Sequence, residues 1–410
     1  MRLLVVSQVF WPENFRINDL VAALVERGHE VTVLTGHPNY PSGNVFPEYL
    51  AEPQEFASYR GAEVVRVPML PRGQGAARLM LNYASFVAGG SIVGAWRLRG
   101  REFDAIFVYQ PSPISSALPA NLIGALKGVP VVLWTLDLWP ETLRAVGVVK
   151  SPALLGAVGV LVSFIYRNCA LVLGQSRAFE SNVARYAGSA DRFRYFPQWS
   201  EQIFAGDLSS VEPAEEMRPF AGKFNVLFAG NIGEAQDFPA ILDAAERLRS
   251  RDDVRWLVVG DGRAAGWLRE EIARRGLGAQ VHLLGRHAVE RMPAFFRGAD
   301  ALLVSLRADP VFSLTIPGKV QAYLASGMPL LGMLDGEGAR VIEDSGAGFT
   351  CAAGDGAALA ALVERLAALP SAEREAMGAR GRDYSRAEFD RERLLAQLEE
   401  WLREVSAGPA

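Results

Sequence analysis

The sequence predicts an α/β protein of two doubly wound domains with a cleft between them, and three observations carry that expectation. A chain of 410 residues is too long for one hydrophobic core and about right for two. Short β-rich runs alternate with helical ones, and the alternation starts afresh after "RYFPQWSEQIF". The runs are continuously apolar, as in parallel strands covered on both faces.

The first element, "RLLVVSQVF", is followed by a helix carrying Ile17, Leu20, Val21, Leu24 and Val25 on one face, closed by Gly28, and then by "HEVTVLTG". That is a βαβ unit. "DAIFVYQ", "PVVLWTL" and "ALVLGQS" extend it. Past Pro197 the strand candidates are "FNVLFAG", "VRWLVVG", "VHLLG", "ALLVSL", "MPLLG" and "GFTCA". The expected layout is a first domain over residues 1–200, a second over 201–382, and a C-terminal amphipathic helix over 383–404, with Phe389, Leu394, Leu395, Leu398 and Leu402 on one face, packing across both domains.

Composition removes several function classes. Cys169 and Cys351 stand far apart in apolar surroundings, which argues against a disulfide framework or zinc site and fits a reducing compartment. "MRLLVVSQVF" stops at Trp11-Pro12 without a small-residue cleavage signal, so it reads as a strand rather than a signal peptide, and a cytoplasmic protein is expected. The net charge of -4 conceals an asymmetry: residues 1–200 carry 18 Lys+Arg against 14 Asp+Glu, leaving 24 against 32. That balance gives no support for nucleic-acid binding. Residues 68–101 hold five arginines and no acid, which suits an anionic surface.

Two uncharged stretches, 79–96 and 151–166, fall short of the ~20 apolar residues of a spanning helix. The first has arginines at both edges and reads equally as a segment lying in a bilayer surface or as a buried helix. Its docking candidates are Arg72, Arg78, Trp96, Arg97 and Arg99. Residues 151–166 read as a buried helix.

In doubly wound domains ligands bind beyond the C-terminal ends of strands. "AGNIGEAQDF" places Asn231, Gly233 and Gln236 there, "GRHAVE" places Arg286, and "TIPGKV" opens a helix at Pro317 with Gly318 and Lys319 in its first turn. Free N–H groups, the helix dipole and an ammonium together suit a phosphate, although a Pro-Gly turn with a solvated lysine reads as well. In the first half "WPENFRIN", "HPNYPSG" and "DLWPE" offer Asn14, Arg16, His37, Tyr40, Asp137 and Glu141.

Six blocks in order, "VSQVFWPENFRINDLVAALVERGHEVTVLTGHPNYPSG", "LDLWPETL", "FAGNIGEAQDF", "VVGDGRAAGWLREEIARRGL", "VHLLGRH" and "IPGKVQAYLASGMPLL", give essentially the whole chain a resemblance to glycosyltransferase family 4. The family has the GT-B architecture of two Rossmann-like domains. The branch it resembles makes bacterial O-antigen, capsule and exopolysaccharide and includes L-fucosamine (FucNAc) transferases. The resemblance implies a retaining transfer from a nucleotide-sugar, UDP by preference, to a lipid-linked saccharide on undecaprenyl diphosphate. It also implies no metal or other cofactor, and peripheral attachment to the anionic inner face of the cytoplasmic membrane. The family's Arg and Lys after the first strand of the second domain, and its acid for the ribose, correspond here to Asn231, Gln236 and Ala322. Lys319, with Gly318 and help from Arg286, is then the main cation for the diphosphate. Glu337 is the substitute candidate for the ribose, although an acid at a helix start is the commoner reading. Asn14, Arg16, His37, Tyr40, Asp137 and Glu141 are acceptor-side candidates. The missing charges keep open a non-catalytic nucleotide-sugar or lipid-binding subunit, and the shared fold a UDP-sugar 2-epimerase, for which no acid/base constellation is visible.

Overall fold

The computed structural model describes residues 1–408 except 74, 146, 148, 205 and 207. The chain forms two compact units: Met1–Phe196 with Glu392–Ala410, and Pro197–Arg391.

The first unit is built on β1 (Arg2–Ser7), β2 (Glu30–Thr35), β3 (Ser58–Tyr59), β4 (Ala62–Arg66), β5 (Ala105–Gln110), β6 (Val131–Thr135), β7 (Leu171–Gly174) and β8 (Phe193–Tyr195). They lie in the order β3-β4-β2-β1-β5-β6-β7-β8, all parallel except the β3–β4 pair. β5 and β6 are buried along their whole length, because helices cover both faces of the sheet. Chain direction across the sheet reverses between β1 and β5. Right-handed crossovers therefore send the helices on either side of that point to opposite faces and leave a crevice at the strand ends.

The second unit holds β9 (Phe224–Ala229), β10 (Val254–Val259), β11 (Val281–Gly285), β12 (Ala301–Ser305), β13 (Leu330–Met333) and β14 (Gly348–Cys351). The order is β11-β10-β9-β12-β13-β14, all parallel. The period of two along β9 divides the core: Phe224, Val226 and Phe228 join Ile241, Leu268 and Val363 on one face. Leu227 and Ala229 join Val320, Tyr323 and Ile342 on the other. Here the reversal lies between β9 and β12.

Three expectations need correction. The C-terminal segment is two helices, Ser371–Glu388 and Arg391–Ser406, parted at Phe389 and Asp390 because Phe389 is buried in the second unit's core. From residue 392 the chain belongs to the first unit. There Glu399 meets His29 Nε2 at 2.5 Å and Arg27 Nη1 at 3.0 Å, and Trp401 packs edge-on against Phe196. The arginine-flanked apolar stretch lies on a helix of 22 residues, Ala76–Arg97, with a wider turn at Gly90–Gly94, long and apolar enough to cross a membrane by length and composition. Asn82 on it is buried, accepting from Gln8 Nε2 at 2.7 Å and donating to the Leu70 carbonyl at 2.6 Å, which holds the helix to the first unit. Residues 151–166 form the helix Pro152–Arg167, which buries Gly159, Val162, Ile165 and Tyr166 but leaves Leu154, Val160 and Phe164 exposed. It packs on one side only, against Ile114–Ala117 and the helix Phe179–Ala187.

Candidate active site

β12 pairs with β9 only at Val226 and Leu227, so the two strands part before their C-terminal ends. The Tyr323 hydroxyl fills the gap, accepting from the Ala229 N–H at 3.0 Å and donating to its carbonyl at 3.2 Å. Beyond β9 the backbone of residues 230–236 is fixed from both sides. Ile232 N–H donates to Asp261 O (2.9 Å) and Ala264 N–H to Ile232 O (3.0 Å). Ser305 Oγ donates to Gln236 O (2.7 Å) and Arg307 N–H to Ala235 O (2.9 Å). The loops after β9, β10 and β12 thus form one rigid rim at the point where the strand order reverses.

Lys319 reaches over this rim. The helix begins one residue later than the sequence suggested: Pro317 is its extended N-cap (φ -60°, ψ 134°), Gly318 its first residue, and no side chain caps it. Val320 N–H donates back to the Pro317 carbonyl at 2.9 Å, which leaves the N–H groups of Gly318 and Lys319 without a partner within the helix. The Lys319 ammonium lies 3.4 Å from the centroid of the Phe228 ring, a residue of the opposite core layer. Nζ is shut off from solvent and has no hydrogen-bond partner among the described residues. Burial lowers its pKa to about 7. An amine held this way is short of an anion, since a buried charge is tolerated only when paired. Gly230, at φ +140°, makes room for it: a Cβ there would sit 2.6 Å from Lys319 Cε and 2.9 Å from Nζ.

The other donor-side candidates fall into separate places. Asn231 is exposed with its amide nitrogen 3.5 Å from Gln236 Oε1, which also accepts the Gly233 N–H at 3.1 Å; this trio closes the loop on itself. Arg286 follows the edge strand β11, is exposed, and has no hydrogen bond or ion pair to Lys319 or residues 230–236 among the described residues. Glu337 begins the helix Glu337–Ser345 and receives Arg340 on both carboxylate oxygens, 2.9 Å each. Ala322 is buried in the core, where a ribose-binding acid would face apolar side chains. No three of His, Cys, Asp and Glu gather as metal ligands among the described residues.

In the first unit Asn14 is exposed and Arg16 opens the helix Arg16–Glu26. Between the loops after β1 and β2 sits Glu13, which the sequence reading passed over. It accepts N–H groups from Asn39 and Tyr40 at 2.7 Å each and from Phe10 at 3.1 Å. Burial raises its pKa, opposed by those N–H groups and by Arg66. Arg66, itself lowered to about 10 by burial, donates to the carbonyls of Gly36 and Trp11. His37 is half-buried against Tyr49, and burial, then Arg66, pushes its pKa down, so it is neutral at pH 7. Tyr40 carries Arg72 over its ring at 5.6 Å, and the Arg72 N–H donates to Asn39 Oδ1 at 2.9 Å. Arg72 thus belongs with these loops. Asp137 accepts from Trp139 Nε1 at 3.1 Å and from the Thr142 hydroxyl, and burial raises its pKa. Glu141 accepts from the Tyr186 hydroxyl at 3.2 Å and lines a cavity of about 410 Å³ with Arg144, Gly159, Val160, Ser163 and Arg185. Its second oxygen, Oε2, is buried without a partner among the described residues. Of the remaining docking candidates, Arg78 is exposed, Arg99 stacks 4.4 Å over the exposed Trp96, and Arg97 donates to the Arg66 carbonyl at 3.0 Å.

Glu13, Arg66, Phe228, Gly230 and Tyr323 escaped the sequence reading. A lone acid beside "FWP" was the only local signal for Glu13. Phe228 and Tyr323 sit in apolar periodic runs where core and site residues look alike.

Two sequence models of one enzyme class match the chain. The glycosyl transferase 4-like domain matches residues 14–199, and the model described as glycosyl transferases group 1 matches residues 223–368. The chain belongs to this glycosyltransferase family and is a transferase. It is similar to WcaI of Escherichia coli (strain K12), named as a colanic acid biosynthesis glycosyl transferase, with 26% identity over 97% of this chain and 98% of that protein. Among solved structures it is similar to Anabaena HepE in complex with UDP and glucose, with a TM-score of 0.66, 16% identity, and coverage of 98% of this chain and 99% of that one. It is also similar to the sucrose-phosphate synthase of Thermosynechococcus elongatus, with a TM-score of 0.71, 16% identity and full coverage of both chains. The fold is GT-B.

Proposed function

We propose that the protein transfers a sugar, with retention of configuration and without a metal, from a UDP-sugar to a saccharide carried on undecaprenyl diphosphate. The reaction serves a bacterial surface polysaccharide of the O-antigen or exopolysaccharide kind and takes place at the inner face of the cytoplasmic membrane, where residues 72–101 take part in attachment. An N-acetylated amino sugar such as FucNAc is the donor sugar suggested by the resemblance.

The observation that carries this reading is the Lys319 ammonium, unpartnered among the described residues, beside an uncapped helix start on the rim where the strand order reverses. A β-phosphate there receives a charge-assisted contact and N–H donors, which stabilise the charge developing as the glycosidic C–O bond breaks. Asn231 and Gln236 supply amides at the same loop, Gly233 close backbone approach, and Arg286 and Glu337 outer contacts to phosphate and ribose. The departing phosphate takes the acceptor proton, so no protein base is required. In the first unit Asn14, Arg16, His37, Tyr40, Asp137 and Glu141 face the acceptor; neutral His37 and the Glu141 oxygen that has no partner among the described residues suit sugar hydroxyls. Complexes of HepE with UDP support the choice of nucleotide.

Calorimetric titration of UDP, and of UMP beside it, into wild type and Lys319→Ala tests the reading. UDP binding tighter than UMP and lost in the variant is expected. Equal binding by both proteins overturns the assignment of Lys319.

A further inference from the structure

We infer that the first unit docks on an anionic phospholipid bilayer through a three-helix face made by Ala76–Arg97, Leu118–Lys127 and Pro152–Arg167. The inference deepens the membrane side of the proposed function and rests on it.

These helices follow β4, β5 and β6, and each crossover runs in the same direction across the sheet. Right-handed connection therefore places all three on one face. They are neighbours there: the first packs on the second, and the first and third both pack on Ile114–Ala117. Nine of the fourteen exposed large apolar side chains among the described residues lie on this face. Ile92 (70% exposed) and Trp96 (62%) come from the first helix, Leu126 (69%) from the second, Val160 (72%) and Phe164 (53%) from the third. Soluble surfaces rarely gather apolar side chains in this way without a partner.

Charge identifies the partner. The three helices contain no Asp or Glu, while Arg97, Lys127 and Arg167 close them and Arg99 follows the first. A helix C-terminus favours cations by its dipole, which explains the basic ends. It does not explain a complete lack of acids along three exposed helix surfaces. An apolar face rimmed by Arg and Lys with an interfacial tryptophan matches a bilayer of negative headgroups, with the helices lying along its surface. The 410 Å³ cavity beside Val160 opens next to this face, with Arg144 and Arg185 on its walls beside Glu141.

The test is co-sedimentation of the full chain with vesicles of phosphatidylcholine alone and of phosphatidylcholine with phosphatidylglycerol, at low and high salt. Wild type is expected to bind the anionic vesicles and to weaken in salt. Leu126→Ser, Val160→Ser and Phe164→Ser combined should lower binding at least about tenfold. The control Trp267→Ser with Val289→Ser, exposed apolar residues of the second unit, should leave it unchanged. UDP titration reports separately on the transferase reading and should be the same in all three proteins. Failure to bind anionic vesicles, or equal binding by the triple variant, overturns the inference. So does loss of self-association in the triple variant by light scattering, which assigns the face to a second copy.

Discussion

The Lys319 ammonium sits 3.4 Å from the centre of the Phe228 ring and has no hydrogen-bond partner among the described residues. A cation over an aromatic face gains about 0.5–2 kcal/mol. That is too little to offset removal from water, and burial accordingly brings the pKa to about 7. The residue weakens the folded state, and such a residue is understood best through what it binds.

Lys319→Met should therefore stabilise the protein while removing UDP binding. The folded pKa lies below the unfolded value near 10.4, so between pH 7 and about 10 the unfolded chain binds more protons and wild-type stability rises with pH. Below pH 7 both states carry the charge and the cost of burying it is complete. The variant's advantage in thermal unfolding should be largest below pH 7 and shrink towards pH 10. A pH-independent difference would show that burial of this charge is not its origin.

Nucleotide binding should show the mirror effect. A diphosphate favours the ammonium, so UDP raises the pKa of Lys319 and binding above pH 7 takes up a proton. Affinity should fall as pH rises from 7, by up to about tenfold per unit. Calorimetry in buffers of different ionisation enthalpy reads the proton directly, and zero uptake at pH 8 would exclude Lys319 as the contact.

Gly230 and Gly260 separate strain from collision. Gly230→Ala places a Cβ 2.6 Å from the flexible Lys319 chain at φ +140°, costing about 1–3 kcal/mol and displacing the ammonium. UDP binding should be lost with the fold retained. Gly260→Ala places a Cβ 1.8 Å from the Gly230 carbonyl oxygen, a backbone atom that cannot move aside without breaking the rim. Urea unfolding midpoints should rank wild type above Gly230→Ala and Gly230→Ala above Gly260→Ala.

The strand runs were legible because burial on both faces leaves a continuous apolar signature, as in "DAIFVYQ", which became β5 buried at all six positions. The long C-terminal helix was not. Phe389 continued the apolar period, and only its burial in a different core shows that the period passes through a break. Pro152–Arg167 misled for the opposite reason: apolar composition signals burial in water, and this helix is apolar on its exposed side too. At the site, Pro317, Gly318 and Lys319 carried a local anion signature. Their completion by Gly230, Phe228 and Tyr323 depends on strand order, which no local pattern encodes.

Glu13 predicts the behaviour of the first-unit loops. Its carboxylate is the common acceptor for three N–H groups from two loops. Glu13→Gln presents an amide donor to at least one of them, leaving buried donors unpaired at a cost of about 1–3 kcal/mol. Hydrogen exchange at Asn39 and Tyr40 should accelerate while UDP binding in the second unit is unchanged. Unaltered exchange would remove Glu13 from its role as the tie between the loops.

Glu399 holds the returning C-terminal helix by charge. Burial alone would raise its pKa, but His29 and Arg27 outweigh burial and hold it below the ordinary 4.5. For an acid with a depressed folded pKa, the stabilisation is complete above 4.5 and fades as pH falls through the folded value. Glu399→Gln keeps the shape and removes the charge from a partly buried network, so loss should exceed the ~0–1 kcal/mol of an exposed pair. At pH 7 hydrogen exchange across Arg391–Ser406 should be faster in the variant than in wild type. As pH falls through the folded value the two should converge, since protonation makes the wild-type group as neutral as the amide. A difference that persists undiminished at low pH would mean that packing of Trp401 and Leu402, and not this carboxylate, anchors the helix.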